Sequence, residues 1–381
     1  MLGIECEYRK LPAYEVSQYS PKDTKEHEDE MNDPLRGWDG AIDQRGGLII
    51  KDQATFHPTK YLNDILNWLM TQPNFRCFDE TRVMSVEEKG IEILGIGNKS
   101  VNVSTADGYT VKCSNAVEAT CVPLQKLSFI AQMEFMRSYC IAARVPKGAI
   151  EDCLLYDQAE EYKYIRMTAC DDEHDYLVVG GCDHKVGQED TTTEFGELEK
   201  WTRERFSQVK SVDYRWSGQI FEPVDFMQFI GKNQGNDHIY IITGDSRDDV
   251  YSPKRIASMV KSLPSMIAHD VQINAQYKRF LQSDITDIED LGRGMGGVLN
   301  KTGSKPIAVY KDEEGNLKQY SALCPHMKGV VCWNTAEKSF DCPVHGSRFS
   351  REGICVMGPS KGNLDPVDEA GKADQENVAG S

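Results

Sequence analysis

The sequence predicts an α+β chain, with a mixed strand-and-helix region over residues 1–282 and a small all-β module over 298–368. Three observations predict it. Alternating stretches such as VNVSTADGYTVKC (101–113) share the first region with stretches of helical apolar spacing such as YLNDILNWLM (61–70). At SDITDIEDLGRGMGG (283–297) the texture turns acidic and then Gly-rich, which reads as a linker, and only short strands and turns follow. Those strands carry two clusters, each with one Cys and one His. A module of about 70 residues is near the size at which a metal or other staple is often needed.

Taken in order, residues 1–36 are polar, and the charge run PKDTKEHEDEMNDP (21–34) reads as a solvated loop or helix. A helix is expected at 61–70, after Pro58. An Ala-Asp-Gly turn splits 101–113 into a hairpin, and NAVEAT (115–120) reads as a further strand. KYIRMTACDDEHDYLVVGGC (163–182) predicts two strands joined by an acidic turn. TEFGELEKWTRERFSQV (193–209) is amphipathic, with Phe195, Leu198, Trp201, Phe206 and Val209 near one face. HIYIITG (238–244) is a nearly unbroken apolar strand of the kind covered on both faces. KPIAVYKDEEGNLKQYSAL (305–323) predicts a hairpin around Glu313, Glu314 and Gly315, and FDCPVHGSRFSREGICVMGP (340–359) continues in the same style. The tail, 369–381, is polar and expected to be disordered.

Composition narrows the function. With 60 acidic against 43 basic residues the formal charge is -17, which argues against nucleic acid or an anionic membrane as partner. No window approaches a membrane span and the start of the chain is not a secretory signal. Twelve Cys in such a chain read as reduced cytoplasmic thiols or metal ligands rather than a disulfide framework.

The clusters are Cys324-Pro-His326 and Cys342-Pro-Val-His345. Three readings compete: structural zinc, an iron–sulfur cluster, and no metal. A zinc finger places its Cys together and its His together on a helix, whereas here each cluster mixes the two in β and turn surroundings. Two loops that each supply one thiolate and one imidazole suit a two-iron rhomb better. Cys324 and Cys342 would hold an inner ferric iron, and His326 and His345 an outer iron near solvent. Neutral imidazoles lower the cluster's negative charge and raise its reduction potential above that of all-Cys ferredoxins.

From about 298 to 367 the chain resembles the Rieske [2Fe-2S] domain family, with GSRFSREGICVMGP matching the second cluster loop and the Pro loop after it. The resemblance implies that Gly358, Pro359 and Ser360 form a lid beside the cluster and that Ser347 donates to a cluster sulfur. High-potential Rieske proteins carry an extra Cys in each loop, joined as a disulfide. Gly329 and Val344 stand at those positions, which implies a potential at the low end of the Rieske range. Cys332 and Cys355 are expected to be core thiols.

Residues 5–245 resemble FAD-dependent oxidoreductases of the D-amino-acid-oxidase-like family, in the branch with a C-terminal Rieske domain. The matching stretches are ATFHPTKYL, TADGYTVKC, RSYCIAARVPKGAIEDCLLYD, YLVVGGCDHKVGQED and YRWSGQIFEPVDFMQFIGKN. They imply a truncated flavoprotein-type mixed sheet domain, mostly its substrate side. Nothing corresponds to the family's opening βαβ unit with G-x-G-x-x-G. After HIYIITG the expected Gly-rich turn is replaced by RDDVYSPKRIASMVKSL (247–263), where Asp248 and Asp249 would oppose a pyrophosphate. The chain is therefore expected to be N-terminally truncated and to bind FAD weakly or not at all. Gly292-x-Gly294-x-x-Gly297 satisfies the dinucleotide fingerprint by letter only, since an acidic stretch precedes it and a hairpin follows. No catalytic residue is assigned: His57 reads as a buried or turn histidine, and Asp183 and His184 lack a third member.

The resemblance implies an oxidoreductase with one-electron transfer through a [2Fe-2S] cluster, descended from enzymes acting on amine-like donors. Its partner would be an electron donor or acceptor, either protein or small molecule. The alternative is an iron–sulfur electron-transfer or binding module without flavin or catalytic activity of its own.

Overall fold

The computed structural model describes residues 3–16, 36–39, 47–90, 92–93, 96–97, 99–122, 132–157, 159, 161–188, 191–224, 228–233, 235–244, 268–269, 271–301 and 305–367. The charge run at 21–34, the segment at 247–263 and the tail at 369–381 lie outside them, so those expectations have no structural counterpart. The chain forms two compact units, one of Met1–Glu80, Ser138–Asp183 and Thr193–Gly218, the other of Thr81–Arg137, His184–Thr192 and Gln219–Ser381.

A seven-stranded mixed sheet runs in the order Ser211–Pro223, Met133–Pro146, His174–Lys185, Lys163–Ala169, Leu154–Asp157, Arg9–Val16, Gly47–Thr55, and its residues within 1–80, 138–183 and 193–218 frame the first unit. The two strands expected at 163–182 pair antiparallel, with Met167 opposite Leu177, and Asp171 caps the turn by accepting from the backbone N–H of Glu173 and His174. Tyr139, Ile141, Ala143, Leu177 and Val179 are buried in this sheet. The helix Glu194–Arg205 is shorter than its apolar pattern: Phe206 and Val209 follow its end yet are still buried. Trp38 meets Trp201 and Phe206 edge-on at 6.0 and 5.0 Å.

The other predicted helix is Pro58–Met70. Proline at its first turn has no N–H to leave unsatisfied, and the His57 side chain accepts from the Lys60 N–H at 3.3 Å. That makes His57 the helix N-cap, a turn role. None of the helix's residues is buried.

In the second unit Val83–Lys89, Ser100–Thr105 and Thr110–Cys113 form a meander whose turn is the Ala-Asp-Gly of the sequence, with Gly108 at φ 83°. Ile239–Thr243 lies between an antiparallel neighbour, Phe229–Lys232, and a parallel one, Ala116–Glu118. Ile239 and Ile241 are buried, but Ile242 on the other face is 43% exposed. Five apolar or near-apolar residues in a row hide the period of two, and only the packing separates the faces.

The rest of this unit is the all-β module. One sheet is Met295–Leu299, Ile307–Lys311 and Leu317–Ser321, and the other is Cys332–Asn334, Ser339–Asp341, Arg348–Ser350 and Cys355–Met357. Their shared core includes Val298, Ala308, Tyr310, Val330, Val331, Phe340 and Phe349. The hairpin expected at 305–323 turns at Asp312–Asn316, where Gly315 takes φ 99°. The stretch read as a linker is packed: Ile285, Ile288 and Leu291 join Leu299, Ile307 and Val309 in a small core. Acidic residues separate these three apolar side chains in the sequence, so no run announces them. Gly294 sits in a turn at φ 72° and leads directly into the strand Met295–Leu299, not into a helix.

Candidate metal centre

The two Cys-His clusters occupy two loops closed in the same way. The Cys324 N–H donates to the Gly329 carbonyl at 2.9 Å and the Lys328 N–H to the Cys324 carbonyl at 2.8 Å. In the second loop Cys342 donates to Ser347 at 2.7 Å and Gly346 to Cys342 at 2.9 Å. Each is thus a turn closed between the Cys and the fourth and fifth residues after it. The fourth residue is left-handed in both, Lys328 at φ 59° and Gly346 at φ 68°. Sequence reading does not pair these positions, because a lysine stands where its counterpart is the expected glycine.

The loops bring all four predicted residues together. The Cys324 and Cys342 thiols act on each other's proton affinity and are buried, at 1% and 2% exposure. The His326 and His345 rings meet at 5.1 Å. The groups that favour the Cys324 thiolate are the Cys342 thiol, the His326 and Met327 N–H groups and the Ser347 hydroxyl. The Cys342 sulfur accepts from the Val344 and His345 N–H groups. Contact with Cys342, led by its hydrogen bond, draws the Cys324 thiol down to about 7 against the cost of burial. The same contact, followed by burial, pushes Cys342 well up. The pair therefore gives up one proton readily, and a bound cation would drive off the second. Burial, then the neighbouring His326 and His269 rings, hold His345 down to about 4. Burial and Lys361 lower His326. Both imidazoles are neutral near pH 7, as metal ligands must be.

Among the described residues no three His, Cys, Asp or Glu side chains converge on a single ion position. The donors come as two pairs, thiols inside and imidazoles outside. A two-iron cluster takes its donors divided in this way. The residues present fit the cluster.

The surroundings explain how the loops are held without a disulfide. A Cβ on Gly329 would stand 2.4 Å from Val344 Cγ2 and 3.2 Å from Cys342 Sγ, so Val344 fills the space beside a bare backbone. The Ser360 N–H donates to Ser347 Oγ at 2.9 Å, which places the Pro loop beside the cluster loops. Cys332 donates to the Gly187 and Asp341 carbonyls, and burial pushes it up to about 12; Cys355 is buried. Cys355 belongs to the module's core, as expected, whereas Cys332 is partly exposed beside it. Immediately before Cys342, the buried Asp341 is raised by burial and accepts from Asn334 at 3.0 Å, with Arg348 at 3.3 Å.

Several residues that sequence reading missed touch these loops. Phe135 meets the His345 ring edge-on at 6.1 Å, and Gln219 Nε2 donates to the Gly346 carbonyl at 2.8 Å. Tyr277 Oη donates to the Met327 carbonyl at 2.9 Å. Arg137 reaches Glu337 at 3.4 Å, and Glu337 also holds Arg348 at 2.9 Å. Nothing local in the sequence marks them, since they lie 11 to 210 positions away from their partners, and 50 or more in the cases of Tyr277, Phe135 and Gln219. Asp183 and His184 do not form a functional pair: as neighbours in the strand His174–Lys185 they point to opposite faces, and Tyr162 donates to Asp183.

Comparison with known proteins agrees with this geometry. Residues 2–250 match the FAD dependent oxidoreductase (DAO) family and residues 284–368 the Rieske [2Fe-2S] domain. A Bacillus subtilis protein named as a Rieske 2Fe-2S iron-sulfur protein, YhfW, is 24% identical over 349 residues, which are 84% of this chain and 66% of the relative. The chloroplastic cytochrome b6-f complex iron-sulfur subunit of Arabidopsis thaliana is 45% identical over 73 residues, 18% of this chain and 32% of its own. The chain thus spans less than two thirds of the length of either. Among solved structures, glycine oxidase from Geobacillus kaustophilus covers 70% of this chain, with 72% of its own chain matched, at 12% identity and a TM-score of 0.48. The chain belongs to the FAD dependent oxidoreductase family and carries a Rieske [2Fe-2S] domain at its C-terminal side.

Proposed function

We propose that Cys324, His326, Cys342 and His345 hold a Rieske [2Fe-2S] cluster through which the chain passes electrons one at a time between an amine-like donor's oxidation and an outside acceptor. The observation that carries this reading is the repeated loop, which sets a buried thiol pair behind an imidazole pair. When bound, the cluster supplies a one-electron store of tunable potential. The protein's residues do the rest. Backbone N–H groups and Ser347 aimed at the sulfurs favour the more negative, reduced state, while Val344, Val330 and Phe349 keep water from the thiolate side. We place the start of the module at Asp284 rather than Val298, because Ile285, Ile288 and Leu291 belong to its packing.

The test is analysis of the purified chain. About two irons and two acid-labile sulfides per chain, with a Rieske-type EPR signal on reduction, support the ligand set. Zinc without sulfide would refute it. His326→Ala or His345→Ala should abolish the signal and Cys332→Ala keep it. FAD is tested in the same sample: flavin bands beside the cluster bands would overturn the expectation of weak or absent binding. The described residues alone do not include the segment at 247–263 that decides it. Among the described residues no helix is long and apolar enough to cross a membrane.

A further inference from the structure

The two imidazoles do not stand in the same surroundings. His345 is 6% exposed. Phe135, from the strand Met133–Pro146, lies edge-on to its ring, and Gln219, from Ser211–Pro223, holds the carbonyl of the next residue. The fit is close: a Cβ on Gly346 would stand 2.6 Å from Gln219 Nε2 and 2.8 Å from Phe135 Cβ. Both strands lie in the region matched to the oxidoreductase family. His326 is only half-buried, and beside it Met327 is 39% exposed and Lys328 exposed.

Charge singles out the same edge. The chain carries a formal -17, yet the side chains next to His326 are cationic. Lys328 is two residues on, and Lys361 immediately precedes Gly362, where a Cβ would stand 3.7 Å from Pro325 Cβ. Glu87, which Lys361 also faces, is already paired with Lys89 at 2.7 Å. A local positive edge on a strongly negative protein steers anions to one place.

We infer that the imidazoles are two different ports: His345 is closed over by the chain's own Phe135 and Gln219, and an acidic one-electron carrier protein docks at His326, on the edge formed by Pro325, Met327, Lys328 and Lys361. This rests on the ligand set proposed above. In the outward step the reduced cluster loses one electron to the carrier, which is reduced by one; no bond or proton need move.

The experiment uses the full chain loaded with its cluster. Its EPR signal is recorded first, so absence of the signal counts against the ligand set and not against the port. The reduced protein is then mixed in stopped flow with hexacyanoferrate(III), an anion, and with a cationic cobalt(III) phenanthroline complex, and the cluster absorbance is followed at low and high salt. The wild type should react with the anion faster at low salt than at high salt, because salt screens attraction beyond roughly 10 Å at 0.1 M. Lys328→Glu/Lys361→Glu should slow the anion about 5-fold or more at low salt and speed the cation. Lys328→Gln/Lys361→Gln, which asks less of the fold, should fall between. Lys338→Glu is the control: Lys338 pairs with Glu313 at 3.0 Å, at the opposite end of the strand Ser339–Asp341 from Cys342. The inference is overturned if the double variants keep their EPR signal and react at wild-type rates, or if Lys338→Glu slows the anion equally.

Discussion

Two regions of the second unit are built from similar short apolar strands and are packed very differently. In the metal module Val298, Ala308, Phe340 and Phe349 are fully buried, because each of its two sheets covers the other. The sheet of Phe229–Lys232, Ile239–Thr243 and Ala116–Glu118 buries Ile239 and Ile241 on one face. On its other face Ile230 pairs with Ile242 and Tyr240 with Val117, and Val117, Ile230 and Ile242 remain 59%, 44% and 43% exposed. The helix Pro58–Met70 in the first unit repeats the second case: Leu62 and Met70 are 62% and 60% exposed, whereas Leu198 of Glu194–Arg205 is buried. Apolar patterning says that a face would gain from cover. It does not say whether the cover is at hand, and among the described residues these faces lack it.

The sharpest contrast is at the metal. Cys342→Ser should remove both iron and sulfide from the purified chain and lower its unfolding midpoint, since a buried ligand is lost together with the stabilisation that binding adds. Near-normal iron in that variant would break the reading of the module. Next, Phe340→Ala removes a ring packed at 4.9 Å against Trp333 and should cost about 3–5 kcal/mol in denaturant unfolding. A loss below about 1 kcal/mol would show that the module's core is not what holds it. Gly329→Ala forces a methyl into Val344 and should cost about 1–3 kcal/mol, with Val344→Ala in the same chain restoring part of it.

At the other pole, Ile242→Lys should change stability by no more than about 0.5 kcal/mol, as at an ordinary surface site. A loss of several times that size would mean that the face is covered after all. A pH-dependent effect is expected from Glu134, in the small cavity it lines with Lys185, His269, Pro343 and Val344 beside the second cluster loop. Hydrogen bonding to His269, against burial and with help from Lys185, holds its carboxyl down to about 2. A depressed carboxylate stabilises the fold fully above its unfolded value and less as pH falls toward the folded one. Stability should therefore decline between about pH 4.5 and 2, and Glu134→Gln should flatten that part of the profile in a pH series of unfolding midpoints.

Much of the metal centre was legible because its chemistry is local. Cys324, His326, Cys342 and His345 each sit within three residues of their partner in the same loop, so the local motifs were enough to propose them, and the fold brings the two loops together. The hairpin at 101–113 was legible for the same reason, since its turn and both flanks are adjacent. The packed stretch at 283–297 was not: Ile285, Ile288 and Leu291 gain meaning only when Leu299 and Val309 fold back on them. Phe135 and Gln219 look like ordinary strand residues until the second loop lies against them. Lys328 looks like a surface lysine until the loop's closure puts it at a positive φ.

By itself, then, the amino-acid order pointed to the candidate donors, the two-part organisation and most of the strands and helices, because each depends on residues close in the chain. Tertiary structure alone decided which faces are covered, that Val344 packs on the bare backbone of Gly329, and that one imidazole is enclosed while its twin is half-exposed. Those outcomes depend on side chains brought together from distant positions, where burial and excluded volume act and sequence spacing carries no information.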